Sequence, residues 1–497
     1  MTGKTGNPRP GPESIPEHPR VRWTQKYRRA LKISTVVLVA HLLGLATSMH
    51  ALMTSRTAPG ATAWIVALNA TPYLAVPAYW VFGRSKFQDY ISLRREVAAS
   101  LEETLEQELA SLKRFRTSWS ADGHQTFRTV EKLARLHFVD GNRVELLING
   151  ERTFASIFEG IEAAKDYLLV QFYIVRNDEQ GRQFQRRLIE RAREGVRIHL
   201  LLDEIGSGKL SRSYIDELTD AGVEVRWFRS NRGWTNKFQL NFRNHRKLVV
   251  ADGKRGWVGG LNVGNEYQAE DWRDTHLLVE GPAVLHMQLS FQEDWRWAAD
   301  DLLQLSWSPH SQSGQGVPVL VVPSGPADGQ ETASLMIQQF VNLAEQRVWI
   351  SSPYLVPDAG VVASLQLAAL RGVDVRLLIP EQSDNLLVSL AAYPFIDPLL
   401  EAGIRIYRYQ PGLMHGKAFL IDDSSAAVST ANLDNRSLRI NFESTALVAD
   451  PDFVTQVEAM FVRDFAASRE SETEEFAGKP LWFRISARAA YLFAPVL

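Results

Sequence analysis

The chain has 497 residues, of which 45% are apolar and 23% charged, with a formal net charge of −2 and no cysteine. This length predicts more than one domain. The near-neutral charge argues against a surface built to coat nucleic acid. The lack of cysteine excludes disulfides, thiolate metal sites and a cysteine nucleophile, and leaves the redox compartment open.

The N-terminal region predicts a membrane anchor. Residues 1–32 are rich in Pro, Gly and polar residues and then in basic ones, which is typical of a disordered basic tail. Residues 33–53 and 61–82 are almost wholly apolar, and each is long enough to cross a bilayer as a helix. The short link between them predicts a transmembrane hairpin. Positive charges lie on both flanks and only Arg56 lies in the turn, which places both ends in the cytoplasm.

The rest of the chain predicts a linker followed by two similar domains. Residues 84–136 are charged with a helical pattern and predict a linker helix. After residue 137, short apolar runs alternate with helical segments, the pattern of an α/β sheet. Three of these runs return about 180 residues later along the chain. We therefore expect two similar α/β domains, residues 137–310 and 311–497, packed about a pseudo-twofold with a shared site.

One motif, His-x-Lys-x4-Asp, occurs once in each half, and an asparagine follows each His by 17 residues. Its residues are His245, Lys247, Asp252 and Asn262 in the first copy and His415, Lys417, Asp422 and Asn432 in the second. The apolar run after each Lys predicts a buried strand with His and Lys on one face. Each Asp lies at the strand end, facing away from such a site, and so is expected to cap the following turn.

The C-terminal residues 481–493 mix apolar residues with Arg484 and Arg488 in an amphipathic helical pattern. Two roles are open for this segment. It packs against the core, or it lies on a membrane surface.

The paired motifs predict a site for a phosphate ester. The lysines supply charge, and the asparagines supply donors, to oxygens that gain charge during in-line displacement, so no metal is required. One neutral imidazole can attack phosphorus while the other, protonated, donates to the leaving oxygen. Each His then needs a partner that fixes its tautomer. The candidates are Asp274, 29 residues after His245, and Glu443, 28 residues after His415, with an ordinary strand-end charge as the alternative.

The paired motifs resemble those of the phospholipase D superfamily, over residues 137–497. Residues 242–247, 259–267, 272–276, 432–437 and 441–443 are similar to bacterial cardiolipin synthases, and the N-terminal hairpin resembles that family's membrane-anchored branch. The resemblance implies two α/β domains that form one active site. The active-site set that it implies is His245, Lys247, Asp252, His415, Lys417 and Asp422.

The chain departs from the superfamily pattern before the two asparagines. The superfamily often has Gly-Ser there, whereas this chain has Gly259-Gly260 in one copy and Ser429-Thr430 in the other. The absence of a hydroxyl at Gly260 weakens a phosphate-binding role for that position, and Ser429 and Thr430 retain one.

The resemblance also implies a reaction and a location. Two phosphatidylglycerols are joined into cardiolipin and glycerol through a phosphatidyl-histidine on His245, with His415 as acid and then base. The implied partners are anionic phospholipid and the membrane, with no nucleic acid and no cofactor, at the bacterial inner membrane with cytoplasmic catalytic domains. Hydrolysis by a membrane-anchored phospholipase D and transfer from phosphatidylethanolamine are the alternatives. A nuclease and an inactive scaffold fit less well, and the oligomeric state is open.

Overall fold

The chain folds into two compact units, Met1–Arg84 and Ser85–Leu497. The structure, a computed structural model, describes residues 1–3, 6, 20–55, 57–83, 90, 112–119, 121–229, 242–311 and 316–497. Most of the predicted tail before residue 20, and the predicted linker at residues 84–89 and 91–111, lie outside the described residues.

The first unit is built on helix α1, Arg20–Thr54. Among the described residues, only the part Tyr27–Thr54 forms a single helix long and apolar enough to cross a membrane. The first predicted span lies within it. The prediction of a disordered tail is wrong for residues 20–32, because Arg, Lys, Leu and Ala are good helix formers that extend the apolar helix.

The second predicted span, residues 61–82, is broken into two helices. These are α2, Ala58–Ala70, and α3, Pro72–Phe82. Pro72 has no backbone N–H and pushes the preceding Thr71 out of the helical region, to φ −137° and ψ 60°. The prediction of one continuous second helix is therefore wrong, although both α2 and α3 pack against α1.

Polar side chains join α1 to the two shorter helices. Asn69 Nδ2 donates to Ser48 Oγ at 2.8 Å, and His50 Nδ1 lies 2.8 Å from Tyr79 Oη. Gly44 permits close approach, since a Cβ there would lie 2.3 Å from Leu68 O. Small residues and interhelical hydrogen bonds of this kind stabilise helix pairs in lipid.

The second unit contains two repeats of strands and helices. The strands of the first repeat are β1 Val139–Ile148, β2 Tyr167–Phe172, β3 Arg197–Asp203, β4 Glu224–Phe228, β5 Arg243–Asn244, β6 Leu248–Ala251, β7 Arg255–Gly259, β8 Trp272–Arg273 and β9 Thr275–Glu280. Those of the second repeat are β10 Val317–Ser324, β11 Arg347–Ser351, β12 Leu355–Val356, β13 Asp374–Pro380, β14 Arg405–Tyr409, β15 Leu413–Met414, β16 Ala418–Ile421, β17 Ser425–Ser429, β18 Leu433–Asp434, β19 Asn441–Val448 and β20 Ser468–Glu470.

Helices cover the sheet formed by these strands. They are α4 Ala121–Ala134, α5 Asn149–Ala163, α6 Glu179–Arg193, α7 Arg212–Asp220, α8 Val284–Ala299, α9 Thr332–Leu343, α10 Ala359–Leu370, α11 Leu386–Glu401, α12 Asn435–Arg439, α13 Pro451–Ala466 and α14 Leu481–Tyr491, with 3-10 turns at Asn265–Gln268 and Ala494–Val496.

Equivalent strands take the same order in the two repeats. The first runs β1-β9-β7-β6-β2-β3-β4 and the second β10-β19-β17-β16-β11-β13-β14, with β20 at the outer edge. Strands β1 and β10 pair antiparallel, with Val139 opposite Val319, and join the two halves into one sheet. The predicted α/β class with two similar repeats is confirmed, and the pseudo-twofold relation centres on the β1–β10 pair.

Helix α4 belongs to the second repeat. Phe127, Val130 and Ala134 are buried in one cluster with residues of β10 and α9. Their spacing along the chain places them on one face of a helix, as an amphipathic pattern requires. This part of the predicted linker is therefore a packed element of the fold.

Helix α14 is packed on one face only. Its small residues Ala487 and Ala490 are buried, and the helix packs against α11. By contrast, Leu481, Trp482 and Ile485 are between 60% and 69% exposed. Core packing, one of the two expected roles for this segment, therefore accounts for only one face of the helix.

Candidate active site

The two copies of the motif lie directly before the central buried strands. His245 and Lys247 precede β6. His415 and Lys417 precede β16 in the same way. The strands themselves are buried at every position. The expectation that His and Lys lie within the strand is wrong by a few residues, and their placement at its entrance brings them to the junction of the repeats.

Each motif is held by the opposite repeat. Strand β5, which leads into His245, pairs in parallel with the start of β19, and the His245 N–H donates to Phe442 O at 3.0 Å. Strand β15, which leads into His415, pairs with β8, and the His415 N–H donates to Arg273 O at 2.7 Å. These backbone hydrogen bonds hold each His against the repeat to which it does not belong.

Each His bonds to a carboxylate of the other repeat. His245 Nδ1 lies 2.9 Å and 3.0 Å from the two carboxylate oxygens of Glu443. His415 Nδ1 lies 2.6 Å from Asp274 Oδ2. Both carboxylates are fully buried. The two partners named from the sequence are thus present, but each serves the His that is distant from it along the chain.

These contacts fix which imidazole nitrogen faces a substrate. A buried carboxylate accepts from Nδ1–H, so the lone pair of the neutral ring lies on Nε2. Burial lowers the pKa of His245 to about 4, although Glu443 acts to raise it. Burial also lowers the pKa of His415, and Lys417 adds to this. The geometry therefore supplies two neutral imidazoles, each with Nε2 available.

The carboxylates stay ionised despite their burial. Burial alone would raise the pKa of Glu443, but His245 and Lys247 hold it below its usual value. Asp274 behaves in the same way: burial acts to raise its pKa, and His415 and the second lysine hold it low. Each carboxylate is therefore a fixed negative charge behind its imidazole.

The two lysines are buried beside the imidazoles. Lys247 Nζ donates to His245 O at 2.6 Å, and Lys417 Nζ donates to His415 O at 2.5 Å. Lys417 Nζ is also 3.3 Å from His415 Nε2, the nitrogen that keeps its lone pair when Nδ1–H donates to Asp274. Burial lowers the pKa of Lys417 to about 8 and that of Lys247 well below its usual value.

Charges of both motifs act on one another, so the motifs form one electrostatic site. Burial is the largest influence on Lys247, and Glu443, Lys417 and Asp274 follow it. Lys417 likewise lowers the pKa of His245 in the other repeat. A phosphodiester bound between the motifs would add one negative charge beside these two lysines and two carboxylates.

Aromatic rings flank both imidazoles. The Tyr173 ring centroid is 5.1 Å from that of His245 and 5.5 Å from Lys247 Nζ. The Trp272 ring centroid is 5.0 Å from that of His415. These rings limit the rotation of the imidazoles. Sequence analysis did not identify Tyr173, although its position directly after the buried strand β2 was an available signal for a site residue.

The two asparagines are buried and engaged with neighbouring groups. Asn262 Oδ1 accepts from Ile174 N at 3.0 Å, and its Nδ2 lies 3.4 Å from Tyr267 Oη. Asn432 hydrogen-bonds the Asp434 carboxyl, and its Oδ1 is buried without a hydrogen-bond partner among the described residues. Each amide therefore shapes a loop at the site, and its expected role as a phosphate ligand stays a prediction.

Gly260 in the first repeat and Thr430 in the second occupy equivalent positions, and they differ for a steric reason. A Cβ at Gly260 would lie 2.0 Å from Asp274 Oδ1, so only glycine leaves room for that carboxylate. In the second repeat Thr430 Oγ1 donates to Glu443 Oε2 at 2.5 Å and accepts from Ser444 N at 2.9 Å. The Thr430 hydroxyl thus orients a carboxylate, and the phosphate contact that its sequence position allows stays a prediction.

Asp252 and Asp422 lie away from the imidazoles. The Asp252 carboxylate accepts from the backbone N–H groups of residues 165–167, at 2.8 to 2.9 Å. The Asp422 carboxylate does the same with residues 345–347, at 2.8 to 3.0 Å. Both aspartates have positive φ, 53° and 47°, in the turn after the buried strand. Their membership in the active-site set is therefore corrected to a structural role, as strand-end geometry predicted.

Two buried ion pairs support the backbone behind the carboxylates. Arg246 Nη1 donates to Asp294 at 2.6 Å, and its Nε donates to Glu443 O at 3.0 Å. Arg273 donates to both oxygens of Asp464, at 2.7 and 3.0 Å, and its Nη1 donates to the carbonyl oxygen of residue 274 at 2.6 Å. Sequence analysis missed both pairs, although Arg246 lies inside the motif itself.

No metal-binding cluster of three or more His, Cys, Asp or Glu occurs within the described ranges. Metal independence stays a prediction that chelation tests.

A protein-family comparison matches both repeats. Residues 157–295 and 337–465 match the model described as "Cardiolipin synthase, PLD-like domain". Curated relatives named cardiolipin synthase A include that of Pseudomonas fluorescens, 44% identical over 93% of this chain and 98% of the relative. Another is that of Pseudomonas syringae pv. syringae, 44% identical over 92% and 97%.

A solved structure shares the fold. The phosphatidylserine synthase of Haemophilus influenzae superposes with a TM-score of 0.59 at 16% identity, covering 75% of this chain and 100% of that one. At this identity the likeness concerns the fold alone. The family model and the near-full-length relatives agree with the paired motifs, and the chain belongs to the cardiolipin synthase family of PLD-like proteins.

Proposed function

We propose that the protein makes cardiolipin by phosphatidyl transfer between two phosphatidylglycerol molecules, through a phosphatidyl-histidine on His245. The crossed His–carboxylate hydrogen bonds carry the proposal, because they supply two imidazoles of fixed tautomer beside two buried lysines. Two such imidazoles suit a double displacement at phosphorus.

In the first step His245 Nε2 attacks the phosphorus of one phosphatidylglycerol. The bond from phosphorus to the headgroup glycerol oxygen breaks, and protonated His415 gives its Nε2 proton to that oxygen, which releases glycerol. Lys247 and Lys417 stabilise the charge on the non-bridging oxygens, and the two motif asparagines are the proposed additional donors.

In the second step a glycerol hydroxyl of another phosphatidylglycerol attacks the same phosphorus. His415 Nε2 takes the proton of that hydroxyl, the new oxygen–phosphorus bond forms, and the bond from phosphorus to His245 breaks. Cardiolipin leaves and both imidazoles return to their initial state. Water in place of the hydroxyl gives phosphatidic acid, the product of a hydrolase.

Substrate binding favours the protonated acid that the first step needs. In the free site burial lowers the pKa of His415. A bound phosphodiester adds a negative charge, and an opposite charge at short range raises the pKa of an imidazole. Asp274, already hydrogen-bonded to Nδ1, then stabilises the imidazolium.

The proposed location is the inner membrane of a bacterium, with α1 and the α2–α3 pair as two spans and the catalytic region in the cytoplasm. The apolar length of Tyr27–Thr54 and the basic residues on both flanks support this topology. A reporter fused after Leu497 should be active only in the cytoplasm. Periplasmic activity would reverse the orientation.

The decisive assay supplies radiolabelled phosphatidylglycerol as the only lipid to purified protein in detergent, with and without a chelator. We expect cardiolipin and glycerol in equal amounts under both conditions. Phosphatidic acid as the main product would establish the hydrolase instead. If cardiolipin forms only after phosphatidylethanolamine is added, then phosphatidylethanolamine is the donor of one phosphatidyl group. A strict need for a divalent ion at the site would contradict the metal-free chemistry.

A further inference from the structure

The C-terminal helix α14 presents an apolar face to solvent. Leu481, Trp482 and Ile485 are 69%, 68% and 60% exposed, and Leu492 and Phe493 beyond the helix end are 77% and 54% exposed. The opposite face is made of small residues that pack on α11. This distribution is unusual for a helix that serves only the core, which buries its large residues.

Exposed apolar residues are sparser elsewhere in the described part of the second unit. Large exposed side chains occur there at most two to an element, for example Leu367 and Leu370 on α10. Leu386 and Leu387 are the corresponding pair on α11, the neighbour of α14. The most numerous exposed apolar residues therefore lie on α14 and the residues after it, next to the pair on α11, and we call this patch the α14 face.

The charge of the α14 segment suits an anionic surface. Residues 478–497 contain Lys479, Arg484 and Arg488 and no acidic residue, although the whole chain has a net charge of −2. An anionic lipid surface attracts such a segment. A second copy of the chain fits less well, because a twofold contact would place like charges opposite each other.

The α14 face is joined to the wall of the active site. The chain leaves α14 through a 3-10 turn, and Leu497 O accepts from Arg436 N at 2.7 Å. Arg436 lies on α12 and acts electrostatically on Tyr173, whose ring contacts His245. The segment that follows α14 is thus linked through Arg436 to the Tyr173 side of the active site.

We propose that the α14 face docks on an anionic phospholipid bilayer, with Leu481, Trp482 and Ile485 inserted at the headgroup level, and so holds the site opening against the membrane. The inference rests on the proposed function, in that the substrate is a bilayer phospholipid. Trp suits this depth, since its ring combines an apolar body with a polar N–H. The N-terminal helices anchor the chain, and the α14 face orients the catalytic region.

Lipid contact is tested on the full chain, which lacks cysteine and so accepts a single label. Ile485→Cys and the matched exposed control Leu370→Cys are each labelled with an environment-sensitive fluorophore and reconstituted in phosphatidylcholine–phosphatidylglycerol vesicles. We expect brominated phospholipid to quench the label at position 485 and not at 370. No quenching at 485, equal quenching at both positions, or a signal at 485 that follows protein concentration rather than lipid overturns the proposal. This readout does not depend on catalysis.

An activity ratio provides the second test. Ile485→Glu and the control Leu370→Glu are compared on phosphatidylglycerol in vesicles and on dispersed short-chain phosphatidylglycerol. We expect the ratio of vesicle rate to dispersed rate to fall roughly tenfold for Ile485→Glu and to stay at the wild-type value for the control. An unchanged ratio for Ile485→Glu contradicts docking. Failure of wild type to make cardiolipin from either substrate refutes the proposed function and leaves the quenching test to decide the docking.

Discussion

The two repeats share strand order and motif but support their catalytic carboxylates differently. In the first repeat Arg246, the middle residue of the motif, pairs with Asp294 of α8. In the second repeat the middle residue is Gly416, and Asp464 of α13 pairs instead with Arg273 from the first repeat. A duplicated fold thus supplies two equivalent imidazoles, while the first repeat provides the arginine of both these ion pairs.

Neither repeat holds a complete site. Each His takes its carboxylate from the other repeat, and both arginines that support those carboxylates come from the first. Near-symmetry provides two similar bases, and the differences around them allow two chemical roles.

Removing each imidazole should produce unequal losses. His245→Ala removes the proposed nucleophile and should lower kcat by about 10⁴-fold or more, whereas His415→Ala removes an acid and base and should lower it by roughly 10²- to 10⁴-fold. Steady-state rates of cardiolipin formation measure both. The exposed His310→Ala is the control and should match wild type. Equal residual activity in the two active-site variants would argue that the imidazoles do not divide the work as proposed.

The steric difference between Gly260 and Thr430 gives the second comparison. Gly260→Ala places a Cβ against the Asp274 carboxylate and should displace it from His415, which lowers kcat by about 100-fold. Thr430→Ala removes one hydrogen bond to Glu443 and should lower kcat by about tenfold at most. Folding of both variants is checked by thermal unfolding. A larger loss for Thr430→Ala would show that its hydroxyl also binds phosphate.

Arg273 of the first repeat, which pairs with Asp464 of the second, should stabilise the fold. Arg273→Met leaves Asp464 buried without its partner and should destabilise the protein by about 3 kcal/mol, seen as a lower unfolding temperature in detergent. Adding Asp464→Asn should restore much of the loss. Arg405→Met, which breaks an exposed pair with Glu470, is the control and should cost less than about 1 kcal/mol. Equal decreases in unfolding temperature for Arg273→Met and Arg405→Met would contradict a stabilising role for the buried Arg273–Asp464 pair.

The pH profile tests the lysine charge. Burial lowers the pKa of Lys417 to about 8, so its charge is present below that pH and is lost as the pH rises through it. Beyond the limb due to loss of the His415 proton, kcat/KM should therefore show a further alkaline limb near pH 8, and this second limb should move to higher pH in Lys417→Arg, since a guanidinium stays charged. On the acid side, neutral His245 should persist toward pH 4. If the limb near pH 8 does not move in Lys417→Arg, that limb reports the titration of another group.

Much of the fold could be predicted from the sequence because the signals were local. Buried strands appear as apolar runs, and a duplicated motif at fixed spacing places His245 and His415 in equivalent positions. The break in the second apolar segment was also visible at Pro72, whose missing N–H and effect on the preceding residue outweigh the hydropathy of the segment.

The crossed partners could not be predicted, because spacing along a chain does not say which repeat a side chain faces. Asp274 is closer in sequence to His245 but bonds to His415, since β8 pairs with β15 across the repeats. The dependence of Asp464 on Arg273 has the same origin. Only the strand pairing between the repeats reveals either contact.

The most direct test of the crossed arrangement is to trap the intermediate in Asp274→Asn and in Glu443→Gln. A phosphatidyl p-nitrophenyl ester serves as substrate, because its leaving group departs without a general acid and the first step then depends on His245 alone. We predict that Asp274→Asn accumulates a phosphatidyl adduct on His245, mapped by mass spectrometry, since its second step lacks a properly held base. Glu443→Gln should accumulate little. Adduct on His245 in Glu443→Gln and none in Asp274→Asn would show that each carboxylate serves the His of its own repeat and would contradict the account.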